Sequence, residues 1–402
     1  HSADNPRGSP LNATSRYASR SAAGAPNGDR PFETGTRLTQ PLAWFDTRFG
    51  FAAVSVTLLL VAFWLRVRRL GTFDLWLDEA ISYVVANRPP LDVIAYSAQN
   101  MLEHPPGYYF LLHYWMRLAG SGEMALRFFS AVGGTLCVAL VIMLARRWFG
   151  HRMGIVAGLL FCVQPLAVTL SRDTRMYTWY GAAVLLMVYL FDRALHDGRA
   201  LSWLLFGAAS LAALTINYLT AFVLVGLAVF AAVQARTLGR RIIPFAVILL
   251  VLLGLPFLWI MMMPGPRGSA LLLLNEMRIP WSPARLVGLF YGWPLSGAAD
   301  DGPTPWLAAL AGLRWLLAIA GILTVARPRA WERRAFQWLL VALVFIAPLA
   351  GSFVFVIVKQ RYFSAVLGFF VLAIASAIAA SWRRSRPAAL ALLAALVLKL
   401  AY

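Results

Sequence analysis

Charged residues are scarce in this sequence, and acidic residues are the scarcest of them. Only 13% of the 402 residues are charged, with 17 acidic side chains against 36 basic ones. Cysteine is rare too, because only Cys137 and Cys162 are present and both lie inside apolar runs. Two cysteines in such surroundings exclude a disulfide framework and are typical of small buried residues.

Long apolar runs are abundant instead. Hydrophobic residues make up 60% of the chain, and the mean hydropathy is +0.69. Runs of about 20 apolar residues predict transmembrane helices, so we expect an all-α polytopic membrane protein and not a soluble domain. The runs predict about eleven spans. They cover residues 51–67, 124–145, 153–171, 176–192, 201–217, 218–235, 242–263, 304–325, 335–357, 362–381 and 387–402.

The net charge of +19 comes almost entirely from arginine. In a soluble protein such a charge would indicate nucleic acid binding. Here the arginines lie mostly in short links between apolar runs, where they orient the spans in the membrane. We therefore expect no nucleic acid partner and an integral protein of the plasma (inner) membrane.

The arginine-rich links alternate along the chain, which predicts the topology. The links that carry them begin at Arg146, Arg193, Arg236, Arg327 and Arg383. The positive-inside rule assigns this side to the cytoplasm. The tail 1–48, with few large apolar residues, is predicted to be disordered on the same side. The membrane domain then covers 49–402, with long outer loops at 68–123 and 264–303.

The stretch 201–235 carries no charge and has two interpretations. It is long enough for two short helices with a tight turn near Asn217, or for one long tilted helix and a re-entrant piece. The alternation of the arginine-rich links favours the turn at Asn217, because losing one span would break it.

Two pairs of polar residues stand out in the first outer loop. Asp78 and Glu79 follow the first span, and Glu103 and His104 precede the second. Carboxylates beside a bilayer are costly unless they have partners or a task, so they indicate a functional site. Amphipathic pieces at 77–85 and 108–118 are expected to lie at the membrane interface. This pattern indicates an enzyme that works at a membrane surface.

Four cations on the outer face are exceptions to the positive-inside rule. They are Arg172, Arg175, Lys359 and Arg361. Arginine binds phosphate through two parallel hydrogen bonds, so these residues are suited to an anionic lipid head group. The alternative is that they are anchors at the bilayer edge or partners of Asp173.

The order of four motifs resembles a known superfamily. DE stands at 78–79, EHPPGYY at 103–109, SRDTRMY at 171–177 and KQRY at 359–362. Together they resemble the GT-C membrane glycosyltransferases, and most of all the bacterial branch related to protein O-mannosyltransferases and the lipid A aminoarabinose transferase. The resemblance runs from about residue 75 to the late spans, which is most of the chain.

The resemblance implies both a fold and a reaction. It implies a GT-C-like helical bundle with interfacial helices in the first outer loop. It also implies a polyprenyl-phosphate-linked sugar as donor, transfer on the extracytoplasmic face, and Asp78 as the catalytic group. The sequence departs from the family at Asp173, where Glu is more common, and at Asn217-Tyr218, where relatives often carry His-Tyr.

The residue types suit this chemistry. A lipid phosphate is a good leaving group that needs charge stabilisation, which Arg172, Arg175, Lys359, Arg361 and His104 are predicted to supply. The acceptor hydroxyl needs a base, and Asp78 is predicted to be that base. One base and one anion clamp suffice for a single displacement with inversion. Glu79 is expected either to support the site or to bind the acceptor, because neighbours on a helix project about 100° apart.

Metal and sugar ligands are less clearly marked in the sequence. Glu103, His104 and Asp173 are candidate ligands of a divalent metal ion, although the first two also suit a local cap before the Pro-Pro turn. Among the aromatic residues, Tyr108, Tyr177 and Tyr362 are candidates for contact with the substrate. Trp76, Tyr83, Tyr109 and Trp115 could stack on a sugar as well, or belong to an interfacial aromatic belt.

The main hypothesis is therefore a glycosyltransferase of cell-envelope or cell-wall biosynthesis. Its acceptor would be a glycan, a lipid or a protein. The alternative is a transporter or flippase of lipid-linked sugars, which would be expected to show inverted repeats and broken helices at the midplane. No internal repeat is visible, and the polar groups collect at one face. A scaffold without catalysis would leave the paired carboxylates unexplained.

Overall fold

The computed structural model describes residues 47–72, 74–100, 104–262, 305–324, 333–349 and 360–401. Four predicted features lie outside the described residues. They are the disordered tail apart from its last two residues, the second outer loop at 264–303, Glu103 and Lys359.

The described residues are predominantly helical, and no strand occurs among them. The helices are α1 (Arg48–Val67), α2 (Leu77–Ala86), α3 (Pro90–Asn100), α4 (Gly107–Ala119), α5 (Glu123–Phe149), α6 (His151–Cys162), α7 (Pro165–Leu170), α8 (Tyr177–Asp197), α9 (Ala200–Ile216), α10 (Thr220–Val233), α11 (Ala235–Leu238), α12 (Ile242–Met262), α13 (Pro305–Thr324), α14 (Arg333–Val341), α15 (Ser364–Arg384) and α16 (Arg386–Ala401). The prediction of an all-α chain is confirmed for this part of the sequence.

Among the described residues, four stretches are long and apolar enough to cross a membrane. They are Arg48–Val67, Glu123–Phe149, Ala235–Gly254 and Ser364–Trp382. Their length matches the hydrocarbon core of a bilayer, so the protein is an integral membrane protein. Shorter apolar helices lie at most of the other predicted spans.

The third predicted span, 153–171, is not one helix. Helix α6 ends at Cys162, and a separate short helix begins at Pro165. Proline lacks a backbone N–H and disfavours helical geometry in the residue before it. Gln164 is accordingly extended, with ψ of 118°. The sequence contained this signal, but the apolar run concealed it.

The stretch 201–235 forms two helices, as the charge alternation favoured. Helix α9 ends at Ile216, and Asn217 is extended with φ of −157°. The side-chain oxygen of Asn217 accepts a hydrogen bond from the backbone N–H of Leu219 at 3.0 Å. Such a bond from an Asn to the second residue along the chain is typical of a turn. Helix α10 then begins at Thr220.

The bundle is arranged around buried central helices. Helices α5 and α15 are mostly buried, whereas α1 and the stretch Ala235–Gly254 are mostly exposed. Exposed apolar faces of this kind suit contact with lipid chains. Helix α8 packs on α5, α9 and α15, and so links the central helices to the rest of the bundle.

Three short helices, α2 to α4, lie between α1 and α5, in the segment predicted to be the first outer loop. Nδ1 of His113 on α4 lies 2.8 Å from the carbonyl oxygen of Ala86, at the end of α2. Because a carbonyl oxygen only accepts, this ring nitrogen carries the proton. The indole N–H of Trp115 donates to the carbonyl oxygen of Ala125 on α5 at 2.8 Å. These bonds hold the loop helices against each other and against α5.

Candidate active site

Glu79 is the most firmly held acidic residue among those that the structure describes between α1 and α5. Its side chain is fully buried in the first turn of α2. Arg127 on α5 donates from Nε to Oε1 at 2.9 Å and from Nη2 to Oε2 at 2.7 Å. The backbone N–H groups of Trp76 and Thr174 donate to the same carboxylate, at 3.3 and 2.8 Å. Glu79 therefore joins three separate segments of the chain.

Arg127 extends this connection along the loop. Its Nη1 donates to the carbonyl oxygen of Leu70, and its Nη2 donates to that of Asp74, each at 2.9 Å. Arg127 was not singled out from the sequence, because it lies inside a predicted span. The signal was present, since a charged residue within an apolar helix usually has a partner or a function.

Asp78 faces in a different direction from its neighbour Glu79. Its side chain is 24% exposed, and Oδ2 lies 3.1 Å from Nη2 of Arg361. The two carboxylates are adjacent in one helix, so one points into the protein while the other stays accessible. The structure therefore favours the supporting role for Glu79 over the acceptor-binding role, and it leaves Asp78 as the accessible carboxylate.

Arg175 lies beside Asp78 and is held by several acceptors. Its Nη1 donates to the backbone carbonyl oxygen of Asp78 at 3.1 Å and to the hydroxyl of Ser82 at 3.3 Å. Its Nη2 lies 3.0 Å from Nε2 of His104. Arginine only donates, so Nε2 accepts and the imidazole of His104 is neutral. Ser82 is a site residue that the sequence did not indicate.

Arg361 approaches Asp78 from the late part of the chain. Its guanidinium carbon lies 5.3 Å from the centre of the Trp76 ring and 5.8 Å from that of Tyr177. Cations attract aromatic faces at such distances, so these rings help to orient Arg361. The structure thus brings four predicted site residues together: Asp78, His104, Arg175 and Arg361.

The predicted tyrosines divide into buried and accessible residues. Tyr108 and Tyr177 are each only 1% exposed. Tyr108 packs against Tyr109 and Phe129, with ring centroids 5.6 and 6.1 Å apart. Both tyrosines therefore pack in the core, and their contact with substrate stays a prediction. Tyr362 is partly buried, and its ring lies 6.5 Å from that of Tyr177.

Arg172 does not join the cluster around Asp78. Its Nη2 donates to the carbonyl oxygen of Leu65 at 2.6 Å, at the end of α1. Burial lowers the pKa of Arg172, and the charges of Arg68 and Arg69 lower it further. Its guanidinium is directed to the end of α1, so the predicted phosphate role of Arg172 gains no support from this cluster and stays a prediction.

The described side chains do not fit a metal site. No group of three or more His, Cys, Asp or Glu suited to a metal ion occurs among them. Arg175 occupies Nε2 of His104, Arg361 pairs with Asp78, and Arg127 pairs with Glu79. An arginine thus lies next to each of these side chains, at the position where a metal ion would have to bind.

Asp173 is a partly buried carboxyl group in the loop between α7 and α8. Burial raises the pKa of Asp173 to about 6, and the charge of Glu79 adds to the increase. Arg127, Arg361 and Arg175 act in the opposite direction. Asp173 therefore changes its protonation state near pH 6.

We expect the Asp173→Asn variant to be more stable than the natural protein above pH 6. The folded pKa lies above the ordinary value of about 3.9, so the folded state binds more protons between these values and loses stability as the pH rises. Asn removes this loss. Thermal unfolding in detergent from pH 4 to pH 7 should show a growing difference in Tm. A constant difference would contradict the raised pKa.

Gly134 on α5 allows the loop with Thr174 and Arg175 to pack closely against this helix. A Cβ at Gly134 would clash with the hydroxyl of Ser171 and would lie 2.9 Å from Nε of Arg66. We expect Gly134→Ala to lower the free energy of unfolding by about 1–3 kcal/mol, the usual effect of overpacking. Gly122→Ala is the control, because no atom lies within 4 Å of its added Cβ. Equal melting of both variants would refute this reading.

Comparison with known proteins agrees with this architecture. Residues 103–260 match the family described as dolichyl-phosphate-mannose-protein mannosyltransferase. ArnT from Cupriavidus metallidurans, bound to undecaprenyl phosphate, superposes with a TM-score of 0.55 at 18% identity, over 86% of this chain and 62% of that chain. No curated protein matches by sequence.

A second solved structure leads to the same fold. The archaeal oligosaccharyltransferase AglB from Archaeoglobus fulgidus was solved with an inhibitory peptide and a dolichol-phosphate. It gives a TM-score of 0.57 at 16% identity, over 89% of this chain and 55% of that chain. The chain has the fold of the GT-C membrane glycosyltransferases. The GT-C resemblance seen in the sequence is confirmed.

This chain covers about three fifths of the length of the two solved structures described above. The family match begins after Asp78 and Glu79 and ends before Arg361. It includes His104, Arg127 and Arg175. The assignment of roles to Asp78 and Arg361 therefore depends on the geometry of the site.

Proposed function

We propose that the protein transfers a sugar from a polyprenyl-phosphate donor to an acceptor hydroxyl. The observation that carries the proposal is the accessible carboxylate of Asp78 beside Arg175 and Arg361. A carboxylate can take a proton, and two guanidinium groups can hold a phosphate. Both needs of the reaction are met within one cluster. The lipid bound to ArnT, undecaprenyl phosphate, supports this donor class.

The reaction is a single displacement with inversion at the sugar carbon. The acceptor oxygen forms the new bond to this carbon while the bond to the phosphate oxygen breaks. Asp78 takes the proton of the acceptor hydroxyl, and the polyprenyl phosphate leaves with the electron pair. Arg175 and Arg361, with Lys359, stabilise the charge on the leaving phosphate.

The active site is proposed to lie on the extracytoplasmic face of the plasma membrane. The support for this is the alternation of arginine-rich links, which assigns the first outer loop to that side. The proposed topology has the eleven crossings that the apolar runs predict. The acceptor is proposed to be a glycan, lipid or protein of the cell envelope.

Incorporation of labelled sugar tests the proposal directly. Purified protein in detergent would receive a polyprenyl phosphate carrying a labelled sugar, together with a cell-envelope fraction as acceptor. Label should leave the lipid and appear in the acceptor fraction. Movement of the intact labelled lipid across a vesicle membrane, without transfer to any acceptor, would instead favour a flippase. Addition of a chelator in the same assay reports whether a metal ion takes part.

We expect Arg175→Ala to weaken binding of the donor phosphate. Loss of one charge-assisted contact typically costs about 1.5–3 kcal/mol, or roughly 10- to 150-fold in affinity. Arg172→Ala is a matched control, because its guanidinium is directed to the end of α1. Binding of a polyprenyl phosphate to both variants measures the difference. Equal loss in the two variants would remove Arg175 from the clamp.

A further inference from the structure

Arg361 uses few of the hydrogen-bond donors that it offers. A guanidinium group carries five N–H donors. The contact that the structure gives these donors is the ion pair with Asp78, at 3.1 Å. The Nε group is buried and has no hydrogen-bond partner among the described residues. Several donors thus remain for another anion.

Arg175 is held more firmly than Arg361. It reaches three acceptors, on Asp78, Ser82 and His104. The acceptor on Asp78 is the backbone carbonyl oxygen, so this bond does not involve the carboxylate. Arg361 instead holds the carboxylate itself and lies near the rings of Trp76 and Tyr177. Ring contacts of this kind allow a guanidinium group to turn more freely than a set of hydrogen bonds does.

The ion pair conflicts with both proposed roles of its partners. The Asp78 oxygen that pairs with Arg361 is less available to an acceptor hydroxyl, because the cation already contacts it. A cation that holds a carboxylate is likewise less available to a phosphate. The reaction needs Asp78 to receive a proton while Arg361 faces the phosphate. Both requirements are met if the anion bound to Arg361 changes from the Asp78 carboxylate to the donor phosphate.

We propose that the donor phosphate displaces the Asp78 carboxylate from Arg361, so that donor binding releases the base. This inference rests on the proposed function and adds an order of events to it. Without donor, Arg361 keeps Asp78 paired. With donor, the phosphate oxygens take over the donors of Arg361, and Asp78 becomes free to receive the acceptor proton. The exchange is one of ionic partners, and no covalent bond changes.

Binding of a sugar-free lipid tests the exchange without relying on turnover. The probe is undecaprenyl phosphate, titrated into the full-length protein in nanodiscs of neutral lipid. The proteins are the natural chain, Asp78→Asn, Arg361→Ala and the double variant. Asp74→Asn is a charge-matched control, because Asp74 is exposed in the same loop and contributes only its backbone oxygen to Arg127. Thermal unfolding checks that each variant is folded.

If the exchange occurs, removing the Asp78 carboxylate should raise the affinity for undecaprenyl phosphate. Asp78→Asn should tighten binding of undecaprenyl phosphate roughly two- to fivefold, the size expected for removing a partly exposed competing ion pair. In the Arg361→Ala background the same substitution should change affinity less than about twofold, because the competition has been removed. Asp74→Asn should leave the affinity unchanged.

Three results would overturn the inference, and they separate it from the proposed function. A gain that persists in the Arg361→Ala background would mean simple repulsion between Asp78 and the phosphate. A loss of affinity in Asp78→Asn would mean that the pair binds the phosphate together. In both cases the proposed sugar transfer could still stand. If the natural protein does not bind undecaprenyl phosphate at all, the proposed donor and the inference fail together.

Discussion

Sugar transfer by the Asp78→Asn variant should fall by about 10²- to 10⁴-fold, the usual effect of losing a general base. Asn preserves the size of the side chain and much of its hydrogen bonding, but it cannot take the acceptor proton. Asp78 is partly exposed, and an ion pair with a partly exposed arginine contributes little to stability. The variant should therefore remain folded. Initial rates with a labelled lipid donor, at saturating donor, measure the loss.

The control for this result is again Asp74→Asn, which removes one carboxylate from the same loop. Its transfer rate should stay close to that of the natural protein. If Asp78→Asn transfers sugar normally, the site has a different base and the present assignment is wrong.

The second large effect is expected at Arg127. Replacing it with Ala leaves Glu79 buried without its cation, and such a loss typically costs about 3–5 kcal/mol. It also leaves the carbonyl oxygens of Leu70 and Asp74 without their donor. The variant should therefore melt well below the natural protein or fail to accumulate in the membrane. Thermal unfolding and the yield of folded protein in detergent are the measurements.

A double substitution separates the ion pair from the carbonyl bonds. Glu79→Gln with Arg127→Met removes both charges, so it should be more stable than Arg127→Ala alone. The recovery of stability should be partial, because the carbonyl oxygens of Leu70 and Asp74 still lack the hydrogen bonds that Arg127 donates. Full recovery would show that these bonds contribute little. No difference between the two variants would show that the charge of Glu79 is not the source of the instability.

Much of the fold follows from the sequence, because long apolar runs have few alternatives to a helix in a membrane. Predicted span 51–67 agrees with α1, and the turn at Asn217 follows from the alternation of charged links. The division between α6 and α7 was missed, since Pro165 lies within an apolar run. Helix α3 was missed too, because its apolar pattern is short.

The candidate site could be predicted only in part. The motifs identify Asp78, Arg175 and Arg361, but no local pattern shows which way a side chain of an irregular loop points. Arg172 and Arg175 are three residues apart, and the loop directs one to the end of α1 and the other to Asp78. The burial of Glu79 depends on Arg127, whose position against α2 is a property of the packed bundle.

The four-way attachment of Glu79 also bears on how the protein is made. Its partner Arg127 lies 48 residues further along the chain, and Thr174 lies 95 residues further along. At a synthesis rate of about 5–20 residues per second, the ribosome needs roughly 5 to 20 seconds to provide the second of these partners. Until then the set of partners that surrounds the buried carboxylate is incomplete. The first outer loop should therefore dock only after the helices that follow it have been inserted.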